Sequence, residues 1–288
     1  MIAEYFKLIR IKHWVKNGFV FVPILFAKNL FDYNSLLLVI KAFFVFGIAS
    51  SAVYIFNDII DVEIDRKHSV KKNRPIASGK ISKLNGWIVV VIFIILLIIS
   101  ASYFRTDFNL TVLAYLLLNF FYSLYFKKIV LVDIFSIAGG FMLRVLAGAY
   151  VINVEVSSWL ILTTLFISLF LGIIKRRSEL AVQSGNVNTR KVLQNYSVTF
   201  LDQISAITAA GVIICYSLYS VSAKVLSNFH SGYFVYTTIF VIYGIFRYLF
   251  LAHFSNKGED AAEIIFKDFP TFINIVLYFI IVIFIIYY

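Results

Sequence analysis

Long apolar stretches alternate with short polar ones along the whole chain, at 18–31, 36–57, 84–104, 108–126, 131–151, 157–174, 202–222, 232–252 and 270–288. A helix crossing a bilayer core about 30 Å thick needs about 20 such residues, and most of these stretches approach that length. The first is short, so it is expected to tilt into protein or to begin nearer Trp14. In lipid each span must satisfy its own backbone groups, which leaves helices as the building element. The predicted fold class is therefore all-α: a polytopic membrane protein with about nine transmembrane helices in one bundle around a cytoplasm-facing cavity. Ahead of the spans, residues 1–16 place Lys7, Arg10, Lys12 and Lys16 among Tyr5, Phe6, Leu8, Ile9, Ile11 and Trp14. This pattern predicts an amphipathic helix at the membrane surface. No linker or low-complexity tract divides the chain, so residues 1–288 read as one domain, with 58–83 as a cytoplasmic loop that meets substrate.

Composition sharpens this. The chain is 61% hydrophobic and 14% charged, against the roughly 25% charged residues of a soluble domain. Its net charge of +11 points to anionic lipid and an anionic substrate rather than to nucleic acid. Basic residues concentrate at the N-terminus and in alternate loops, including Lys127, Lys128, Lys175, Arg176, Arg177, Arg190, Lys191, Lys257 and Lys267. The opposite loops carry Lys28, Lys41, Arg105 and Lys224. The positive-inside rule then predicts a cytoplasmic N-terminus and an external C-terminus. The N-terminus lacks a signal-peptide pattern, and the single Cys215 reads as a core or lipid-facing residue.

One polar stretch stands out for chemistry. Asp58, Asp61 and Asp65 are spaced i, i+3 and i+7, which on a helix stacks three carboxylates on one stripe that Asn57 shares. Like charges that close call for a cation, and oxygen ligands suit Mg²⁺, which binds a few carboxylates together with waters and substrate phosphates. Arg66, Lys67, Lys71, Lys72 and Arg74 follow directly and supply groups for phosphate oxygens. Together these residues read as a magnesium-diphosphate clamp, with Asp58, Asp61 and Asp65 as its catalytic members.

Two further clusters are candidates for substrate contact. Tyr122, Ser123, Lys127, Lys128 and Asp133 precede Gly139, Gly140, Arg144 and Gly148. Arg144 lies eleven residues, about 16 Å of helix, beyond Asp133 and so well inside the bilayer, where an arginine faces a partner or a polar cavity. Arg144 is expected either to touch substrate or to balance Asp133. Lys175, Arg176, Arg177 and Glu179 cap the sixth span, as a positive flank or as a reach toward phosphate. His13, His68, His230 and His253 show no metal-ligand spacing, and no Walker loop, CxxC pair or Ser-His-Asp arrangement is present.

The stretch NDIIDVEID, residues 57–65, resembles the NDxxDxxxD signature of the UbiA superfamily of intramembrane prenyltransferases. RIKHWVKNGFVFVPILFA (10–27), RPIASG (74–79), YSLYFKKIVLVDIFSIAGGFMLRVLAGA (122–149), KRRSEL (175–180) and RYLFLAHFSNKGEDAAEIIFKD (247–268) are similar to its decaprenyl-phosphate phosphoribosyltransferase branch. The resemblance implies a nine-helix bundle with Asn57, Asp58, Asp61 and Asp65 holding Mg²⁺-diphosphate. It also implies that Lys16, Arg74 and Lys127 hold phosphates. Asp133 falls where the superfamily's second acidic motif, often DxxxD, begins, but here Ile137 stands in the fourth place after it. The implied activity is transfer of 5-phosphoribose from phosphoribosyl diphosphate to a polyprenyl phosphate in a bacterial inner membrane. The alternatives are prenyl transfer from a polyprenyl diphosphate to an aromatic acceptor, and a non-catalytic transporter or lipid-binding protein. The transporter reading lacks a second NDxxDxxxD-like run that would complete an internal repeat.

Overall fold

A computed structural model describes residues 2–67, 71–182, 191–229, 232–254 and 268–288. Arg190, Lys257, Lys267, His68 and His230 lie outside the described residues, as do parts of the 58–83 and 175–200 loops. Every regular element among the described residues is helical. Eight helices are long and apolar enough to cross a membrane. They are α3 (Tyr33–Ile60), α5 (Lys83–Ala101), α6 (Thr106–Leu124), α7 (Val132–Val151), α8 (Ser158–Val182), α9 (Val198–Ser220), α11 (Thr238–Phe254, continued backward by a 3₁₀ turn from Gly232) and α12 (Phe269–Tyr287). Shorter helices are α1 (Ile2–Ile9), α2 (Val22–Phe26), α4 (Val62–Lys67) and α10 (Ala223–Phe229).

The first predicted span takes a different form. Residues Ile11–Phe21 form a 3₁₀ helix that runs directly into the five-residue α2. At about 2.0 Å per residue in the 3₁₀ part and about 1.5 Å in the α part, the pair reaches about 30 Å, enough to cross with fewer residues than an α-helix needs. Its sequence explains the geometry. A 3₁₀ helix eclipses residues i and i+3, and Trp14, Asn17 and Val20 fall on that stripe, which Pro23 at the start of α2 continues; Asn17 and Val20 are fully buried and Pro23 is buried. Trp14 donates to Ser51 Oγ at 3.0 Å, and its ring covers Gly47, where a Cβ would meet the indole at 2.8 Å. Val20 lies against Gly148 of α7, where a Cβ would meet the Val20 carbonyl oxygen at 2.0 Å. Only glycine permits that approach of two backbones.

Burial orders the bundle. More than half of the apolar stretch of α3 and of α7 (56% in each) is buried, against 17% in α5 and α12, so α3 and α7 form the centre and α5 and α12 the rim. The rim helix α5 turns Ile88, Val91, Ile92, Ile95, Ile98 and Ile99 outward, an apolar surface suited to lipid. Phe46 of α3 packs on Tyr115 and Phe108 of α6, and Phe108 is fully buried. Polar caps close several helices: Asp32 accepts from the Ser35 N–H at 2.8 Å, and Asp268 from the Thr271 N–H at 3.0 Å. Because α3 is central, whatever projects from its C-terminal end sits at the mouth of the bundle. That end carries the aspartates.

Candidate active site

The chain stays close to helical register through the aspartates. Asp61 ends α3, its N–H bonding the Asn57 carbonyl at 2.9 Å, and Asp65 repeats the pattern onto Asp61 at 2.8 Å. The expected stripe is thus present, bent at Asp61. Asp58 and Asp65 are both buried, which no carboxylate tolerates without partners. Arg74 Nη1 lies 3.0 Å from Asp58 Oδ1 and 2.6 Å from Asp65 Oδ2, so two carboxylates converge on one positively charged atom. Arg10 Nη2 meets the same Asp58 oxygen at 2.5 Å, and Lys127 Nζ meets Asp61 Oδ1 at 2.5 Å. Burial pushes the Asp65 carboxyl above its ordinary value, the Arg74 charge and hydrogen bond pull against it, and the nearby Asp58 charge adds a smaller upward push.

A divalent cation fits this donor set in part. Among the described residues no three carboxylates meet at one point, but two do, and the atom between them is already cationic. The half-buried Asn57 side chain, one residue before Asp58, makes no hydrogen bond among the described residues. Two carboxylates and an amide oxygen leave coordination places for waters and phosphate oxygens, which is how Mg²⁺ is commonly held.

The other expected site residues divide. Lys127 and Arg74 reach the clamp. Lys16 is half-buried on the 3₁₀ segment, whereas Lys72 and Lys175 are exposed. Arg66 turns to the Ala77 carbonyl at 3.3 Å and to Glu63 at 3.2 Å, bracing the 74–79 turn rather than facing the carboxylates. Tyr122 and Asp133 both accept hydrogen bonds from Arg176. Arg176 and Asp133 are both fully buried, and Arg176 donates to Asp133 Oδ2 at 2.6 Å, to Glu179 at 2.6 Å and to the Tyr122 hydroxyl at 3.0 Å. The Tyr196 hydroxyl donates to Asp133 Oδ1 at 2.8 Å and accepts from the Leu131 N–H at 2.6 Å. Both oxygens of Asp133 are therefore engaged by the protein itself. Arg144 does not balance Asp133, because Arg176 does.

That network has a structural consequence for the clamp. The linker 125–131 carries Lys127, and it is held upstream through Tyr122 and downstream through Leu131, whose φ of 66 is strained for a leucine. Arg10 also has a left-handed φ of 56, which ends α1 and starts the 3₁₀ helix. Two unusual backbone positions thus flank residues that reach the aspartates. Arg10, Asn17, Tyr115 and Tyr196 were not singled out as site residues from the sequence. Their contacts span 29 to 127 residues, and no local pattern announces them.

An all-helical, multi-pass bundle with an aspartate clamp ringed by cations at the end of a central helix defines a membrane-embedded transferase. The family profile of the UbiA prenyltransferases matches residues 19–284, and the chain belongs to that family. It is 32% identical over 225 residues to decaprenyl-phosphate phosphoribosyltransferase of Mycobacterium tuberculosis, covering 76% of this chain and 74% of that one. It is 34% identical over 219 residues to the protein of that name from Corynebacterium glutamicum, covering 74% and 66%. Among solved structures, a UbiA homolog from Archaeoglobus fulgidus bound to GPP and Mg²⁺ superposes with a TM-score of 0.73 at 18% identity, covering 98% of this chain and 99% of that one. This likeness shows the fold.

Proposed function

We propose that the chain transfers the 5-phosphoribosyl group of phosphoribosyl diphosphate to a polyprenyl phosphate. In this reaction the bond from ribose C1 to the diphosphate oxygen breaks, a lipid phosphate oxygen bonds C1, and diphosphate leaves. The observation that carries the reading is the convergence of buried Asp58 and Asp65 on one cationic point, with Arg10 and Lys127 bonded to the same acidic stripe. Such a site fits a polyanion that arrives with its own counter-ion. The names of the relatives in Mycobacterium and Corynebacterium favour a ribosyl donor over a prenyl one.

A bound Mg²⁺ would neutralise charge developing on the leaving diphosphate. The chain's own residues do the rest. Asp58, Asp61, Asp65 and Asn57 would hold the metal-diphosphate, while Arg10, Arg74 and Lys127 face phosphate oxygens, with Lys16 and Lys72 as further cations for the substrates. Their main task is to bring two anions together that repel each other in water. The basic loops and the acidic mouth are on the cytoplasmic side of a bacterial inner membrane in this reading, with the N-terminus inside.

The test is incubation of purified protein with Mg²⁺, radiolabelled phosphoribosyl diphosphate and polyprenyl phosphate. Label should pass into the organic phase. No lipid-soluble label, together with turnover of a polyprenyl diphosphate and an aromatic acid, would replace this reading with aromatic prenyl transfer.

A further inference from the structure

Three arginines are buried among the described residues, and two of them have acidic partners: Arg176 has Asp133 and Glu179, and Arg177 has Asp202. Arg144 has none. It is 5% exposed, and its guanidinium donates to Asn17 Oδ1 at 2.8 Å, the Gly140 carbonyl at 2.8 Å and the Tyr115 hydroxyl at 2.9 Å. It also lies over the rings of Tyr115 and Phe141, at 4.8 and 5.4 Å from their centroids. Every one of these partners is neutral. A guanidinium offers five N–H groups, and these three bonds leave one unused on each terminal nitrogen.

The place of this charge matters as much as its partners. Asn17 also donates to Ser50 Oγ at 3.4 Å, which puts the cluster at the level of Ser50 on α3. Ser50 precedes Asp58 by eight residues, about 12 Å of helix toward the bilayer centre. Tyr54 lies between the two levels, its ring under Arg10 at 5.0 Å and beside His13 at 5.6 Å. Polar and aromatic groups therefore connect the clamp to a buried positive charge beneath it. A buried charge without a counter-ion is costly, and an arginine fork with two unused donors matches a phosphate in shape and charge.

We infer that Arg144, oriented by Asn17 and Tyr115, is a second anion subsite, binding a phosphate monoester about one to two helical turns below the diphosphate clamp. This rests on the proposed transfer, whose substrates offer two such groups: the lipid head and the 5-phosphate of the sugar donor. The subsite is set apart from the clamp because Arg144 contacts no aspartate.

Asn17→Asp gives the sharpest test, because it changes one atom and places a carboxylate on the Arg144 guanidinium. If Arg144 only supports the fold, the new ion pair leaves thermal stability and both KM values as they were or raises stability. If Arg144 binds a phosphate, the new carboxylate displaces it, and KM for one phosphate substrate rises about tenfold or more while the melting temperature holds. A rise for polyprenyl phosphate alone assigns the subsite to the lipid head, and one for phosphoribosyl diphosphate alone assigns it to the sugar. Unchanged KM for both, in a protein that melts no lower than wild type, overturns the proposal. Should Asn17→Asp fail to fold, Arg144→Lys keeps the charge without the fork and is read by the same two KM values. Should the wild-type protein transfer no ribose, the proposed function fails by itself. The subsite is then read from heat protection by inorganic phosphate and by polyprenyl phosphate. Protection of wild type but not of Asn17→Asp supports it, and equal protection of both overturns it.

Discussion

At the scale of single residues, two kinds of buried charge have opposite consequences. In the proposed reading the clamp carboxylates hold an arriving metal-diphosphate, so loss of the least buried of them, Asp61, is expected to cost activity more than stability. Asp61→Ala should lower transfer at least about a hundredfold and leave the melting temperature within a few degrees, since Asp61 is half-buried and bonded to a single lysine. Unchanged turnover would argue against the clamp. Arg176→Met should do the reverse. It leaves Asp133 fully buried with its main counter-charge gone, a loss of about 3–5 kcal/mol measurable by denaturation in detergent. The aspartates were legible in the sequence because their spacing is local and matches a helix. Arg10 was not, because its tie to Asp58 depends on how the N-terminal segment folds back over α3. The pairing of Asp133 with Arg176 was not legible either, because sequence shows charge but not the partner 43 residues away that meets it.

At the scale of elements, the 3₁₀ segment is the feature that hydropathy alone could only half describe. A run too short for an α-helix was visible; the larger rise of a 3₁₀ helix gives it the length of a span, and the stripe of Trp14, Asn17, Val20 and Pro23 seats it in the bundle. Its seat is the glycine contact with α7. Gly148→Ala adds a Cβ where the Val20 carbonyl already stands, so the segment must shift, and a fall in melting temperature of several degrees is expected. A second element-level prediction concerns the N-cap of α12. Arg247 and Thr271 hold the Asp268 carboxyl far below the ordinary carboxylate range. A depressed folded-state pKa contributes stability that is present above about pH 4 and is lost as pH falls through the folded value. Asp268→Asn should therefore lower stability at neutral pH and flatten the acid limb of the melting profile. An unchanged acid limb would contradict that assignment.

At the scale of the whole molecule, the alternation of apolar runs was enough to state an all-helical, multi-pass bundle, because lipid allows few other solutions. Which helices form the centre was not legible, since α3, α5 and α12 read alike in hydropathy and differ in what they bury. The proposed orientation rests on loop charge and can be checked directly. With the lone Cys215 replaced by serine, Tyr103→Cys should react with an impermeant maleimide on intact cells, and Lys128→Cys only after lysis; the opposite pattern would invert the topology. The central claim is that the acidic end of α3 receives the diphosphate. The most direct measurement is a density map of the protein with phosphoribosyl diphosphate and Mg²⁺. The account predicts diphosphate against Asp58, Asp61 and Asp65, with Arg10, Arg74 and Lys127 around it. Diphosphate bound elsewhere in the bundle would contradict it.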